Sequence, residues 1–385
     1  MLTPTTKSRA HVRDATIEDG PALQRLSKAC TQNGEMALRI EREPDFFALS
    51  RLAGDPWRVI LAEGFKGEAI GCISFGRRRV YLASEPCTLI SVGDLKVHPD
   101  HRGPAVDAAN QLMNAFGQAC RAMGGDELPV AFTVLSGNRR AEYCCRFFAA
   151  KFIPGVHPRP LITRLATLHA YSIPLLWGPR FPRRDLRVEE ATWEDVPEMI
   201  ALWRRRAPRM QCADVHDEHS FTDWVRSAPD LDVSSYRLVR NENGRLEGFL
   251  GLWNQGEFKQ LRVLGYARRL KLPRLAFNAV ARLAWAAPLP QPGGELGVVS
   301  TVHLCTPLDD PTVLRTLILD AIRGWRGRGC SVLQLSLDVK DPRTSAVRGL
   351  FAQPTTVNAY VASPAGTYRG PALDDSPMHH EIALV

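Results

Sequence analysis

Residues 94–113, DLKVHPDHRGPAVDAANQLM, set three aspartates, a lysine, two histidines and an arginine around one strand-to-helix transition. The apolar alternation stops at a Pro-Asp-His-Arg-Gly turn, and a helix is expected from Pro104, the residue type favoured at a first helical position. A helix start leaves four N–H groups unpaired and carries about half a positive charge, so it suits a pyrophosphate. Arg102 adds a full charge and a forked donor. Against this, Pro104 removes one amide donor, and Asp107 in the first turn repels an anion by roughly 1 kcal/mol or more. Asp94 lies near the end of the strand. The two-residue period turns it away from Leu95, and a bulge there would reverse that parity.

Other candidates for chemistry are fewer. Cys144 and Cys145 sit in NRRAEYCCRFF (138–148) with no histidine close in sequence to activate them, which favours packing over a covalent role. The pair His216 and His219 in HDEH has near-ligand spacing but no further Cys or His nearby, so a solvated loop is expected and no metal. The run GRRRV (76–80) reads as a solvated hairpin that could attract an acidic group.

The chain that must position these residues has 385 residues, enough for two or three cores. Its composition is 45% hydrophobic and 23% charged, which is globular, and its net charge of +8 is spread out, not gathered in a tail. Nucleic-acid binding is not expected, because neither aromatic nor helix-turn-helix motifs accompany the charge. Nine cysteines without C-x-x-C pairs argue for reduced thiols. The start MLTPTTKSRAHVRDA has no apolar signal core, and no stretch of about 18 uncharged apolar residues offers a membrane span. A cytoplasmic protein is expected.

The sequence also repeats itself. VRDATIEDGPALQRL (12–26) and VEEATWEDVPEMIAL (188–202) share V, A, T, E, D, P and L at equal positions. A repeat this long means one domain used twice. Each copy reads as a strand, a capping threonine (Thr16, Thr192) and an amphipathic helix. Hairpins follow at 57–76 and 236–253, then strand, helix, strand, helix and strands in the same order, down to the final HHEIALV. The expected division is 11–171, a Pro-rich linker at 172–185, and 186–385. An insertion at 267–295, without counterpart in the first copy, reads as an amphipathic helix with a basic face and a Pro/Gly loop. It could cover the interdomain cleft or a dimer contact, lie on a membrane surface, or simply pack internally. The class is α+β: two domains in tandem, each a mixed, mostly antiparallel sheet flanked by helices.

LKVHPDHRGPAVDAANQLM resembles the cofactor segment of the GNAT superfamily of acyl-CoA N-acyltransferases, V-x-P-x-x-R/Q-x-x-G-x-G/A. Val97, Pro99 and Arg102 match it, and the whole chain resembles a tandem GNAT protein. Ala105 and Asp107 depart from it where small residues, usually glycine, stand. The resemblance implies a strand splayed at a bulge, with Leu95, Lys96 and Val97 along pantetheine. It places Arg102, Gly103, Pro104, Ala105, Val106 and Asp107 on the phosphates, and Asn138 near the CoA arm. It further implies acetyl-CoA or another acyl-CoA as co-substrate and a small-molecule or peptide amine as acceptor. Asp94 would serve as base or amine anchor. The family's acidic tyrosine falls on Cys145, and Tyr143 is the nearest phenol, about 200° around the helix. The second copy's loop, CTPLDDPTVLRTLI (305–318), presents Asp309 and Asp310 instead, which implies scaffold, substrate wall or a homodimer surface. The function expected is acyl transfer to an amine by direct attack in the first copy. The alternative is a GNAT-like binding or regulatory protein without catalysis.

Overall fold

The computed structural model describes residues 10–32, 34–102, 108–124, 128–139, 141–142, 161–176, 185–363 and 373–385. The first copy runs β1 (His11–Asp14), α1 (Gly20–Ala29), β2 (Thr31–Gln32), β3 (Met36–Glu41), α2 (Ala48–Leu52), β4 (Trp57–Glu63), β5 (Ala69–Leu82), β6 (Glu85–Val97), α3 (Ala108–Gly124), β7 (Val130–Leu135) and β8 (Leu161–Pro174). The second runs β9 (Arg187–Glu190), α4 (Val196–Arg206), α5 (Glu218–Ser227), β10 (Tyr236–Arg240), β11 (Leu246–Asn254), β12 (Gln260–Tyr266), α6 (Lys271–Leu283), β13 (Val298–Cys305), α7 (Pro311–Trp325), β14 (Val332–Asp338) and β15 (Gln353–Ser363).

The repeated sequence builds the same joint twice. The backbone N–H of Thr16 donates to Asp19 at 2.7 Å and that of Thr192 donates to Asp195 at 2.8 Å. Each closes a capping box around a short 3-10 turn, after which Pro21 and Pro197 open α1 and α4. In α3, Ala108, Leu112, Phe116, Ala119, Cys120 and Met123 recur at helical spacing and are buried against β4, β5 and β6. Burying side chains the size of Leu112 and Phe116 contributes roughly 1.5–3 kcal/mol each. The matching face of α7, with Leu314, Leu317, Ile318 and Ile322 buried, packs in the second copy's core.

The two expected sheets are joined edge to edge. Twelve strands form one sheet in the order β1-β4-β5-β6-β7-β15-β8-β14-β13-β11-β10-β9, which reads alike from either end if the copies are exchanged. At its centre the last strands cross over: β8 of the first copy pairs with β14, and β15 of the second pairs with β7. Strand β8 continues through Ser172 and Ile173 to Pro174, so the Pro-rich stretch begins as strand. A smaller sheet, β12-β3-β2, ties the copies together a second time through Leu261↔Ile40 and Arg262↔Arg39. Neither β3 nor β12 was expected from the sequence. The final residues form no strand; Ile382–Leu384 make a 3-10 turn.

Two parallel ladders are short. Strands β6 and β7 pair only over Ile90–Val92 with Val130–Phe132, and β13 and β14 only over Val298–Ser300 with Val332–Gln334. Beyond these residues each pair separates, so each copy opens a crevice in the middle of its sheet.

Candidate functional site

The crevice of the first copy opens beside a bulge in β6. Cys72 faces Lys96 and Ser74 faces Gly93, so Ile73 on β5 is opposed by two residues, Asp94 and Leu95. The extra residue is accommodated by Asp94 in the left-handed region, φ +49°, a conformation aspartate tolerates better than most residues. The bulge is thus present where the motif implied one, and across it Asp94 is buried, 9% exposed at its side chain, while Leu95 is 48% exposed. Gly71, which faces Val97 just past the bulge, permits α3 to press on this strand pair; an added Cβ would meet Leu112 Cδ1 at 2.8 Å.

Asp94 is enclosed by cations. Arg42, from the loop after β3, and Lys96, two residues on, both donate to its carboxylate, and Ser74 Oγ donates from 3.3 Å. Burial pushes the carboxyl up, but Arg42 and Lys96 together outweigh it and hold it well below the usual carboxylate range. Arg42 is itself buried and lies over the Phe46 ring, 5.5 Å from its centroid. A third cation comes from the second copy: Lys259 is 7% exposed and donates to the Ala383 carbonyl at 3.1 Å, beside Gln255, which donates to the same oxygen at 2.9 Å. Burial, then repulsion from Arg42, opposed by Asp94, brings Lys259 down to about 7. Arg42 and Lys259 are site residues that sequence reasoning missed. Their partners lie far away in the chain, and only the pairing of β3 with β12 brings them to the bulge.

The remaining expected residues fall as follows. Val97 accepts a hydrogen bond at its carbonyl from Arg102 Nε at 2.8 Å, which turns the guanidinium back onto the strand end. Asn138 follows β7 and caps a helix start, its Oδ1 accepting from the Ala141 N–H at 3.1 Å. Gly103, Pro104, Ala105, Val106, Asp107, Tyr143 and Cys145 lie outside the described residues, as does Cys144.

Two readings of the sequence are corrected. Arg78 of GRRRV is not a solvated hairpin residue: β5 runs on to Leu82, and Arg78 makes a forked pair with Asp214 of the second copy at 2.7 and 3.1 Å. Nor is His216 solvated. It is 8% exposed and packs edge-on against Phe221 and His303, because α4 and α5 close over the loop that carries it; His219 is the exposed member of the pair. Among the described residues no group of three or more His, Cys, Asp or Glu could hold a metal ion.

The second copy repeats the bulge. Phe249 faces Cys305 and Gly251 faces Val302, so Leu250 is opposed by His303 and Leu304, and His303 has φ +48°. This crevice is stitched shut by the chain's own last residues. Glu381 accepts the His303 backbone N–H at 2.9 Å on β13, while on β14 Met378 N–H donates to Asp338 at 3.0 Å and His380 bonds Ser336 at 2.9 Å. His303 shares a 2.7 Å hydrogen bond with Tyr236, and burial, opposed by Glu381, lowers it to about 3.

Along the seam between the copies runs an open cleft of about 450 Å3, lined among others by Glu41, Glu43, Glu257 and Glu295 together with Arg262 and Arg328. Glu41 and Glu43 flank Arg42 in sequence, so one short segment faces both the cleft and the buried carboxylate.

No family model matches the sequence, and no curated protein matches it. Solved structures do. The chain superposes on Saccharomyces cerevisiae N-myristoyltransferase with bound myristoyl-CoA at TM-score 0.61 and 12% identity, over 98% of this chain and 88% of that one. It matches a GCN5-related N-acetyltransferase from Sphaerobacter thermophilus at TM-score 0.54 and 14% identity, over 94% and 96%. A third match is the GCN5-related glucosamine N-acetyltransferase region of a fungal multi-domain GH3 β-N-acetylglucosaminidase, at TM-score 0.59 and 12% identity; it covers 92% of this chain and spans 38% of that protein's length. The fold is that of the GNAT superfamily, in the two-domain form.

Proposed function

We propose that the chain is an acyl-CoA-dependent N-acyltransferase. The first copy, residues 11–171, binds the thioester in the β6–β7 crevice, and the second, 186–385, supplies the acceptor wall. What carries this reading is the asymmetry of two otherwise matching bulges: the second crevice is filled by residues 378–384, and the first has its bulge lined by charged groups. Structural neighbours that handle acyl-CoA support the choice of co-substrate, and acetyl-CoA is the form we expect.

In the reaction a neutral amine attacks the thioester carbonyl, a C–N bond forms, the C–S bond breaks, and CoA leaves as thiolate while the amine loses a proton. Asp94 is poorly suited to take that proton, since two cations already hold its carboxylate ionised. We assign it the positioning of Arg42 and Lys96 at the bulge. Lys259, buried on the second copy's side of the seam with its Nζ 3.1 Å from the Ala383 carbonyl and its proton affinity lowered first by burial, is the group we assign to proton removal. In the seam cleft Glu41 and Glu43 are already paired with Arg262 and Lys28, and Glu257 and Glu295 are the carboxylates we assign to an acceptor that arrives as an ammonium ion.

The test is CoA release from acetyl-CoA across a panel of primary amines. Turnover is expected to fall at least a hundredfold in Lys259→Met while acetyl-CoA affinity is retained. A second reading, a GNAT-like protein that binds a CoA thioester without transferring it, draws support from Arg102 being folded onto Val97. It would show thioester binding and no CoA release with any amine.

A further inference from the structure

Helix α6 carries its apolar face outward. Leu272 is 77% exposed, Leu275 61% and Leu283 84%, and Ala276 and Ala279 are exposed between them. At 100° per residue these five form one stripe along the helix. Trp285, just past the helix end, is 87% exposed. Such a stripe would be expected to turn inward, yet the inner side is already satisfied by other groups. Ala281 is fully buried, and Arg274 lies over the Tyr266 ring at 4.9 Å. Asn278 clamps Leu289 in both directions, at 2.8 and 3.0 Å. The outward stripe is therefore not a displaced core face.

Its surroundings are cationic. Between Glu257 and Glu295 the chain has no acidic residue, and it carries Lys259, Arg262, Arg268, Arg269, Lys271, Arg274 and Arg282. Arg269 pairs with Glu35; Arg268, Lys271 and Arg282 are exposed and have no carboxylate partner among the described residues. Lys271 and Arg282 border the same edge of the stripe, about 80–100° from its centre on a helical projection. Leucines in a row, an interfacial tryptophan and a basic margin are the requirements of a helix lying in the headgroup region of an anionic bilayer. Thirteen residues span roughly 20 Å, too short to cross the apolar core of about 30 Å.

We propose that α6 docks the protein flat on an anionic phospholipid surface, with Leu272, Leu275 and Leu283 inserted and Lys271 and Arg282 on lipid phosphates. The test is co-sedimentation of the full chain with vesicles of phosphatidylcholine alone and with about one third phosphatidylserine. Binding to the mixed vesicles is expected to be at least tenfold tighter, and to weaken at about 0.5 M salt. The exposed double substitution Leu275→Asp and Leu283→Asp should abolish it without changing the melting temperature. A blue shift of tryptophan emission on binding should shrink in Trp285→Phe. Three results would overturn the proposal: no association with the mixed vesicles, undiminished association of the aspartate variant, or a dimer in solution that Leu283→Asp dissolves while vesicles bind nothing.

Discussion

At the level of single residues, the arrangement around Asp94 fixes what its substitution should do. Removing the carboxylate charge leaves Arg42 and Lys96, 4% and 15% exposed at their side chains, facing each other. A buried pair broken from one side costs about 3–5 kcal/mol. Asp94→Asn should therefore lower the midpoint of urea unfolding, and the double variant Asp94→Leu, Arg42→Met should recover most of that loss; equal stability of Asp94→Asn and wild type would remove the ion pair from the interior. Lys259 gives a signed pH dependence. Its folded value of about 7 lies below the value of about 10.4 expected when unfolded, so between these the unfolded chain holds more protons and stability rises with pH. Wild type should gain on Lys259→Met from pH 7 upward, and a constant difference would mean that Lys259 stays charged. His303 and His380 are lowered to about 3 and about 4, by burial first, with Glu381 opposing. Their contribution is present above about pH 6.5 and drains away as pH falls toward 3. Replacing His380 by Gln should flatten the acid limb of a stability profile.

At the level of elements, the tail that crosses β13 and β14 is held by the Glu381 carboxylate on the His303 N–H. Glu381→Gln keeps the acceptor but weakens it and removes the charge that offsets the effect of burial on His303. Hydrogen exchange at residues 300–305 is expected to speed up while that at 90–97 is unchanged; equal protection in the variant would show that the tail does not close the crevice. The element order of both copies was readable from hydrophobic period and capping threonines, because capping and amphipathicity are local properties. Strands β3 (MALRIE) and β12 (QLRVLGY) were not, since both are short, each interrupts its apolar run with an arginine, and their pairing joins segments more than 200 residues apart. The bulge at Asp94 was legible only through a motif. The bulge at His303 had no such signal, for nothing in GVVSTVHLCT marks an extra residue in the ladder.

At the level of the whole molecule, the exchange of β8 and β15 between the copies makes each half depend on the other for its central strand. Together with β3–β12 and Arg78–Asp214, it predicts one cooperative thermal transition, with calorimetric and van't Hoff enthalpies in agreement. Two resolved transitions would contradict this. The sequence repeat pointed to two copies but not to the exchange, because both terminal strands are apolar enough to pair at either place. The same nonlocal assembly explains why Arg42 and Lys259 escaped notice: neither lies in a motif, and each gains its meaning from a partner on another element. It also explains His216, which is followed in sequence by Asp217, Glu218 and His219 and whose neighbours in space are Trp203, Phe221 and His303.

The most direct measurement is a calorimetric titration of the protein with acetyl-CoA and with a long-chain acyl-CoA, repeated on Arg102→Glu. A first crevice with its bulge lined by Asp94, Arg42 and Lys96, beside a second stitched by residues 378–381, predicts one site per chain, weakened at least tenfold in the variant. Two sites per chain, no binding of either thioester, or binding indifferent to Arg102→Glu would contradict the assignment of the cofactor to the β6–β7 crevice.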